Sequence, residues 1–248
     1  MLGRIIICIF LLYAVEIPVQ AELLFVDYFS GDIEDNWTHI GDGEMSVTED
    51  RTALDFGPEV LKLENPKGSN CIAYLENFKF TDGVITYLIR DAALDDGPDF
   101  DCDGPGFARI AQLKEEMPIA EAFPSAYTIE VDLDGGFHIL WGENGHGDNL
   151  DLDDSIKTTG NWTWVKFSLI GNELKGKTWL YSRDEPRNWQ LETTDDRYAE
   201  GAVALRAWSG TLYVAHIRIN DRDEPYIAVD PVAEKLTVTW GAVKNQSI

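Results

Sequence analysis

Apolar and polar residues alternate along this chain with the period of two that a half-buried strand requires. Over 84–91, Val84, Thr86, Leu88 and Arg90 share one side, and Ile85, Tyr87 and Ile89 share the other. Over 126–134, Tyr127, Ile129, Val131 and Leu133 point one way while Thr128, Glu130, Asp132 and Asp134 point the other. Asp134-Gly135-Gly136 predicts a turn, with 137–141 (Phe-His-Ile-Leu-Trp) returning as the hairpin partner. Over 162–170, Thr163, Val165, Phe167 and Leu169 form an apolar side and Trp162, Trp164, Lys166 and Ser168 a mixed one. The segments 173–181, 201–208 and 211–219 continue the series. The best helical candidate, 111–123, is interrupted by Pro118. Short alternating runs separated by Gly, Asp, Asn and Pro predict an all-β, two-sheet antiparallel sandwich.

The N-terminus departs from this rhythm. Arg4 precedes an uncharged apolar run from Ile5 to Val15, and Val19 and Ala21 are small residues at the spacing of a cleavage site. Residues 1–21 are therefore read as a secretory signal peptide cut after Ala21. The run is short of the ~20 apolar residues that span a bilayer. The expected product is secreted, or periplasmic in a bacterium with two membranes, with no membrane insertion after cleavage. Residues 22–220 are expected to form the sandwich domain, and 221–248 a less regular appendage with a possible extra edge strand from Lys235 to Trp240.

The formal net charge of −24 changes the list of partners. So negative a surface repels phosphate backbones and anionic lipid, which excludes nucleic acid and leaves neutral glycans, cations or basic partners. After cleavage, Cys71 and Cys102 remain, an even count that predicts a disulfide in an oxidising compartment; two buried free thiols are the alternative.

The order of several degenerate motifs resembles the concanavalin A-like lectin/glucanase superfamily. They are Asp27-Tyr28-Phe29 followed by Asn36-Trp37-Thr38, the Tyr127–Asp132 strand with Gly135-Gly136-Phe137, Trp162–Phe167, and Gly201–Trp208 followed by Gly210–Ile219. The resemblance spans about residues 25–220. It implies a jelly roll of the concanavalin A-like type and an extracellular glycan or polysaccharide as partner. Two branches are similar: laminin G-like and lectin-like binding domains, and the 3-keto-disaccharide hydrolase domain.

Candidate chemistry falls in three places. Asp99, Asp101 and Asp103 with Gly104 spell D-x-D-x-D-G, whose alternate carboxylates can converge on a hard cation such as Ca2+. The twelfth position of an EF-hand loop is Ile110 here, so the loop is not an EF-hand. Glu130 and Asp132 lie on one face of a strand and are the candidate catalytic carboxylates. Their segment resembles the E-x-D-x-x-E motif of retaining family 16 glucanases, which use paired carboxylates ~5 Å apart, but position 135 is Gly where the last Glu stands. Finally, Arg90, Arg109, Arg206, Trp141, Trp179 and Trp208 are candidate glycan contacts. Guanidinium groups can donate to hydroxyls, and indoles can cover the C–H face of a pyranose. Arg90, Arg109, Thr128, Glu130 and Asp132 are expected on neighbouring strands of one groove. No serine-hydrolase elbow, P-loop or dinucleotide fingerprint is present. The leading expectation is a secreted carbohydrate-binding jelly roll, with a glycoside-processing hydrolase and a laminin G-like interaction module as alternatives.

Overall fold

A computed structural model describes residues 20–52, 54–65, 70–93, 104–111, 124–131, 136–143, 146–156, 160–208 and 210–225. Their strands are Leu23–Asp27 (β1), Trp37–Gly41 (β2), Glu44–Glu49 (β3), Glu59–Glu64 (β4), Asn70–Leu75 (β5), Gly83–Ala93 (β6), Gly104–Ile110 (β7) and Ala126–Val131 (β8). They continue with Phe137–Glu143 (β9), His146–Leu152 (β10), Thr163–Ile170 (β11), Glu173–Leu180 (β12), Leu191–Thr194 (β13), Ala202–Trp208 (β14) and Gly210–Asn220 (β15).

The strands form two antiparallel sheets. The first runs β13-β12-β11-β6-β15-β4-β3, with β1 added beside β15, and has eight strands. The second runs β10-β9-β8-β7-β14-β5-β2 and has seven. This is the two-layer antiparallel jelly roll. Each layer turns one set of alternating side chains to a common core: Ile85, Tyr87, Val165, Phe167, Leu212 and Ile217 from the first sheet, Tyr127, Ile129, Phe137, Val203 and Leu205 from the second. Burying each large apolar side chain contributes on the order of 1.5–3 kcal/mol, which makes this shared interior the main source of stability.

Two bulges set which residues face outward. In β15 the register shifts between Val214 and His216. The extra residue resets the alternation, so Leu212, Val214, Ile217 and Ile219 all reach the core while His216 faces the other way. In β7, Arg109 has φ 53°, and the pairing with β14 shifts between Ala202 and Ala204. The backbone approach there admits only glycine at 201, where a Cβ would stand 2.2 Å from the Ile110 carbonyl oxygen.

The expected hairpin is present, with Val131 opposite Phe137 and Tyr127 opposite Trp141. One expectation is corrected. The strand carrying Arg90 (β6) is not a neighbour of the strand carrying Glu130 (β8): β6 pairs with β11 and β15, in the other sheet. The outward faces of the two sheets look to opposite sides of the sandwich, so these residues do not line one groove. Residues 1–19, 112–123, 132–135 and 226–248, on which the leader, the helix candidate, the hairpin turn and the C-terminal edge strand were placed, lie outside the described residues.

Candidate functional site

The outward face of the seven-stranded sheet carries a charge pair at its centre. Alternation turns Thr128 and Glu130 of β8 away from the core, because Tyr127, Ile129 and Val131 occupy it. On β14 the same rule turns Ala204, Arg206 and Trp208 outward. Glu130 stands opposite Pro105 of β7 and His138 of β9. Arg206 stands opposite Ile72 of β5. The two charged side chains therefore meet across β7, with Arg206 Nη2 donating to Glu130 Oε1 at 2.6 Å. The guanidinium lies 5.3 Å from the centre of the Phe107 ring.

The surroundings make this pair unusual. Arg206 is 2% and Glu130 6% exposed, among the buried apolar residues Ile72, Phe107, Ile110, Ala126 and Ala204. Taking an ion pair out of water costs several kcal/mol per ion, and apolar residues of like volume are often as stable, so fold stability alone is a poor reason for its presence. Two further polar atoms lie on this face. Thr128 Oγ1 and Asn70 Oδ1 are buried and have no hydrogen-bond partner among the described residues, an arrangement that costs roughly 1–3 kcal/mol per group. Trp208, half-buried, sits opposite Asn70 at one end of the charged row. His138, also half-buried, sits at the other, 3.2 Å from Asn149 Oδ1 through Nδ1.

The remaining sequence candidates are distributed elsewhere. Arg90 lies on the outward face of the eight-stranded sheet, ion-paired with Asp50 and set over the rings of Tyr213 (4.4 Å) and Trp162 (5.4 Å). Trp179 is on that same face, 6.1 Å from Trp164. Trp141 packs against the core beneath the Arg197 guanidinium, 4.3 Å away. Arg109 ties three turns together at one end of the sandwich. It donates to the carbonyls of Thr81 (2.7 Å), Gly171 (2.8 Å) and Tyr198 (3.1 Å) and to Asp82 (2.9 Å). Asp132, Asp99, Asp101, Asp103 and Cys102 lie outside the described residues.

Cys71 is a buried free thiol in this structure, and Cys102, its expected disulfide partner, lies outside the described residues. Alternation on β5 turns it into the core rather than toward a surface loop, and burial pushes its thiol up to about 12. Among the described residues no group of three or more His, Cys, Asp or Glu side chains is placed to hold a metal.

Sequence reasoning missed Asn70, His138 and Phe107 as members of the charged face. Asn70 begins its strand and Phe107 precedes a bulge, so neither announces its face locally.

The two sheets, their strand order and the shared core define a concanavalin A-like jelly roll. No protein-family model and no curated protein matches the sequence. Solved structures match the fold at low identity. A protein of unknown function with a galectin-like fold from Bacillus subtilis aligns at TM-score 0.55 and 11% identity, covering 81% of this chain and 97% of that one. The GH16 of the Bacteroides ovatus mixed linkage glucan PUL, in complex with its G4G4G3G product, aligns at 0.52 and 12%, covering 79% and 99%. The carbohydrate-binding module CBM66 from Bacillus subtilis aligns at 0.51 and 15%, covering 73% and 94%.

Proposed function

We propose that this protein is an extracellular carbohydrate-binding jelly roll whose glycan contacts the outward face of the seven-stranded sheet around Glu130, Arg206 and Trp208. The observation that carries the reading is the buried Glu130–Arg206 pair with two oxygens on the same face, Thr128 Oγ1 and Asn70 Oδ1, that have no partner among the described residues. A sugar presents hydroxyls that both donate and accept, which is what such a mixed set of groups requires. The Trp208 indole adds an apolar plane beside them. Among the fold neighbours, one is by name a carbohydrate-binding module and one a glycoside hydrolase holding an oligosaccharide. The net charge of −24 favours neutral over anionic glycans.

Binding is preferred to hydrolysis on this face. Glycoside hydrolysis pairs two carboxyls about 5–9 Å apart; among the described residues the group brought against Glu130 is the Arg206 guanidinium, and Asp132, the second carboxyl the sequence offers, lies outside them. Calcium enters only through Asp99, Asp101 and Asp103, and no part of the binding is routed through it. A melting temperature raised by Ca2+ and lowered by EDTA supports an ion at that loop; identical melting removes it.

Native affinity gels containing laminarin, barley β-glucan, mannan or levan test the function. Retardation by at least one neutral polysaccharide, abolished by Trp208→Ala and by Glu130→Gln, is the expected result. Free migration in every gel, or retardation that neither variant alters, overturns it.

A further inference from the structure

We propose that the outward face of the eight-stranded sheet carries a second, separate site for a neutral sugar ring, in the pocket between residues 55–56 and 181–185. The pocket encloses about 370 Å³, within the ~300–1,000 Å³ typical of small-ligand sites. Trp164 of β11 and Trp179 of β12 form its floor, side by side in register, with ring centres 6.1 Å apart and planes 22° apart; both are largely buried, 3% and 8% exposed, so they present only a small apolar area to the pocket. Phe56 and Tyr181 complete the aromatic lining, Phe56 meeting Trp164 edge-on at 5.5 Å. Behind them, His216 packs 5.0 Å from Phe56, and burial pushes it down to about 3, so this imidazole adds no charge to the lining.

The flanking segments are pinned. On one side, Asp50 pairs with Arg90, the Trp162 Nε1–H donates to Thr52 Oγ1 at 2.7 Å, and the Tyr181 hydroxyl donates to Asp55. On the other, the Glu185 carboxylate accepts from Lys166 at 2.7 Å and Lys177 at 2.6 Å, and both lysines are buried. A pocket already held in shape binds without the ordering cost of assembling it. At the mouth, Arg183 and Asp184 are exposed and offer donors beside an acceptor.

The lining selects the ligand class. Apolar aromatic surface pairs with the C–H face of a pyranose, and a donor and acceptor at the mouth pair with its hydroxyls. Asp55 and Asp184, in a chain of net charge −24, disfavour uronate or sulfated sugars. This site shares no residue with the charged face of the seven-stranded sheet and lies on the opposite side of the sandwich.

Calorimetric titration with laminarihexaose, cellohexaose and mannohexaose tests the second site. With at least one of them, the chain is expected to bind two equivalents. Asp184→Ala and Trp179→Ala are each expected to weaken one of the two by roughly tenfold, leaving the other unchanged. Trp208→Ala is expected to do the reverse. If Trp179→Ala does not fold, the exposed Asp184→Ala and Arg183→Ala variants decide. Titrations of these rim variants that superimpose on wild type overturn the site, as does the absence of binding by all three oligosaccharides. Binding lost with Asp184→Ala but indifferent to Trp208→Ala and Glu130→Gln sustains this pocket while removing the other face.

Discussion

Replacing Arg206 by methionine separates the two things its ion pair can do. In the native protein the guanidinium is 2% exposed and contacts a carboxylate that is 6% exposed. Without it, Glu130 is left as a buried charge with its charged partner gone, which costs about 3–5 kcal/mol. Replacing both partners, in Glu130→Leu/Arg206→Met, removes both desolvation costs and is expected to fall within about 1 kcal/mol of wild type, or above it. A domain of this kind is stable by roughly 5–15 kcal/mol, so the single change remains measurable. With a urea dependence of about 2 kcal/mol per molar, its unfolding midpoint drops by roughly 2 M and the double variant's hardly moves. Equilibrium unfolding followed by tryptophan fluorescence reads both. Two results refute the reasoning. A single-variant cost below about 1 kcal/mol means that the pair is not desolvated. A double variant as unstable as the single means that the fold itself needs the charges, and their place on this face says nothing about a ligand.

Three further outcomes follow from particular atoms. Thr128→Val removes a buried hydroxyl that has no partner among the described residues, so stability should hold or rise by about 1 kcal/mol while glycan affinity falls; a clear loss of stability in urea shows that the hydroxyl is satisfied after all. Burial raises the Asp91 carboxyl to about 7, from an unfolded value of about 3.9. The folded state then holds that proton more tightly, which adds stability at low pH that is lost as pH rises from about 4 to about 7. His216 is common to both proteins, so the stability of Asp91→Asn minus that of wild type should grow by up to ~1.4 kcal/mol per pH unit across that window and then level; a pH-independent difference contradicts it. Finally, protein secreted with its own leader should show Glu22 as its first residue by intact mass. The Glu22 nitrogen already lies 2.7 Å from Asp221 Oδ1, placed to receive the new ammonium; a mature chain that keeps Met1 rejects the leader.

What the sequence made legible was local. The alternation in 126–131 and 163–170 gave the correct core faces, since Tyr127, Ile129, Val165 and Phe167 are all buried between the sheets. The pairing of Arg206 with Glu130 was within reach because each sits on a mixed face, one strand beyond β7 on either side. Sheet membership was not legible. Strands of both layers alternate with the same period, so nothing in 84–91 shows that its partners are the distant β11 and β15 rather than β8. Bulges escaped for a related reason: Arg109 carries no sequence mark of its positive φ, and that one residue sends its side chain to the turns at 81, 171 and 198 instead of the outward face. The aromatic pocket was visible only as scattered tryptophans, because Phe56 reaches it from a short 3-10 turn, Leu54–Phe56, far away in sequence.

The most direct measurement is a titration of tryptophan-labelled protein with the oligosaccharide of whichever polysaccharide retards it, following the indole N–H signals by NMR. A saturable shift of the Trp208 signal, absent in the folded Glu130→Leu/Arg206→Met variant, is the predicted outcome. A Trp208 signal that stays fixed at saturating sugar contradicts recognition on that face.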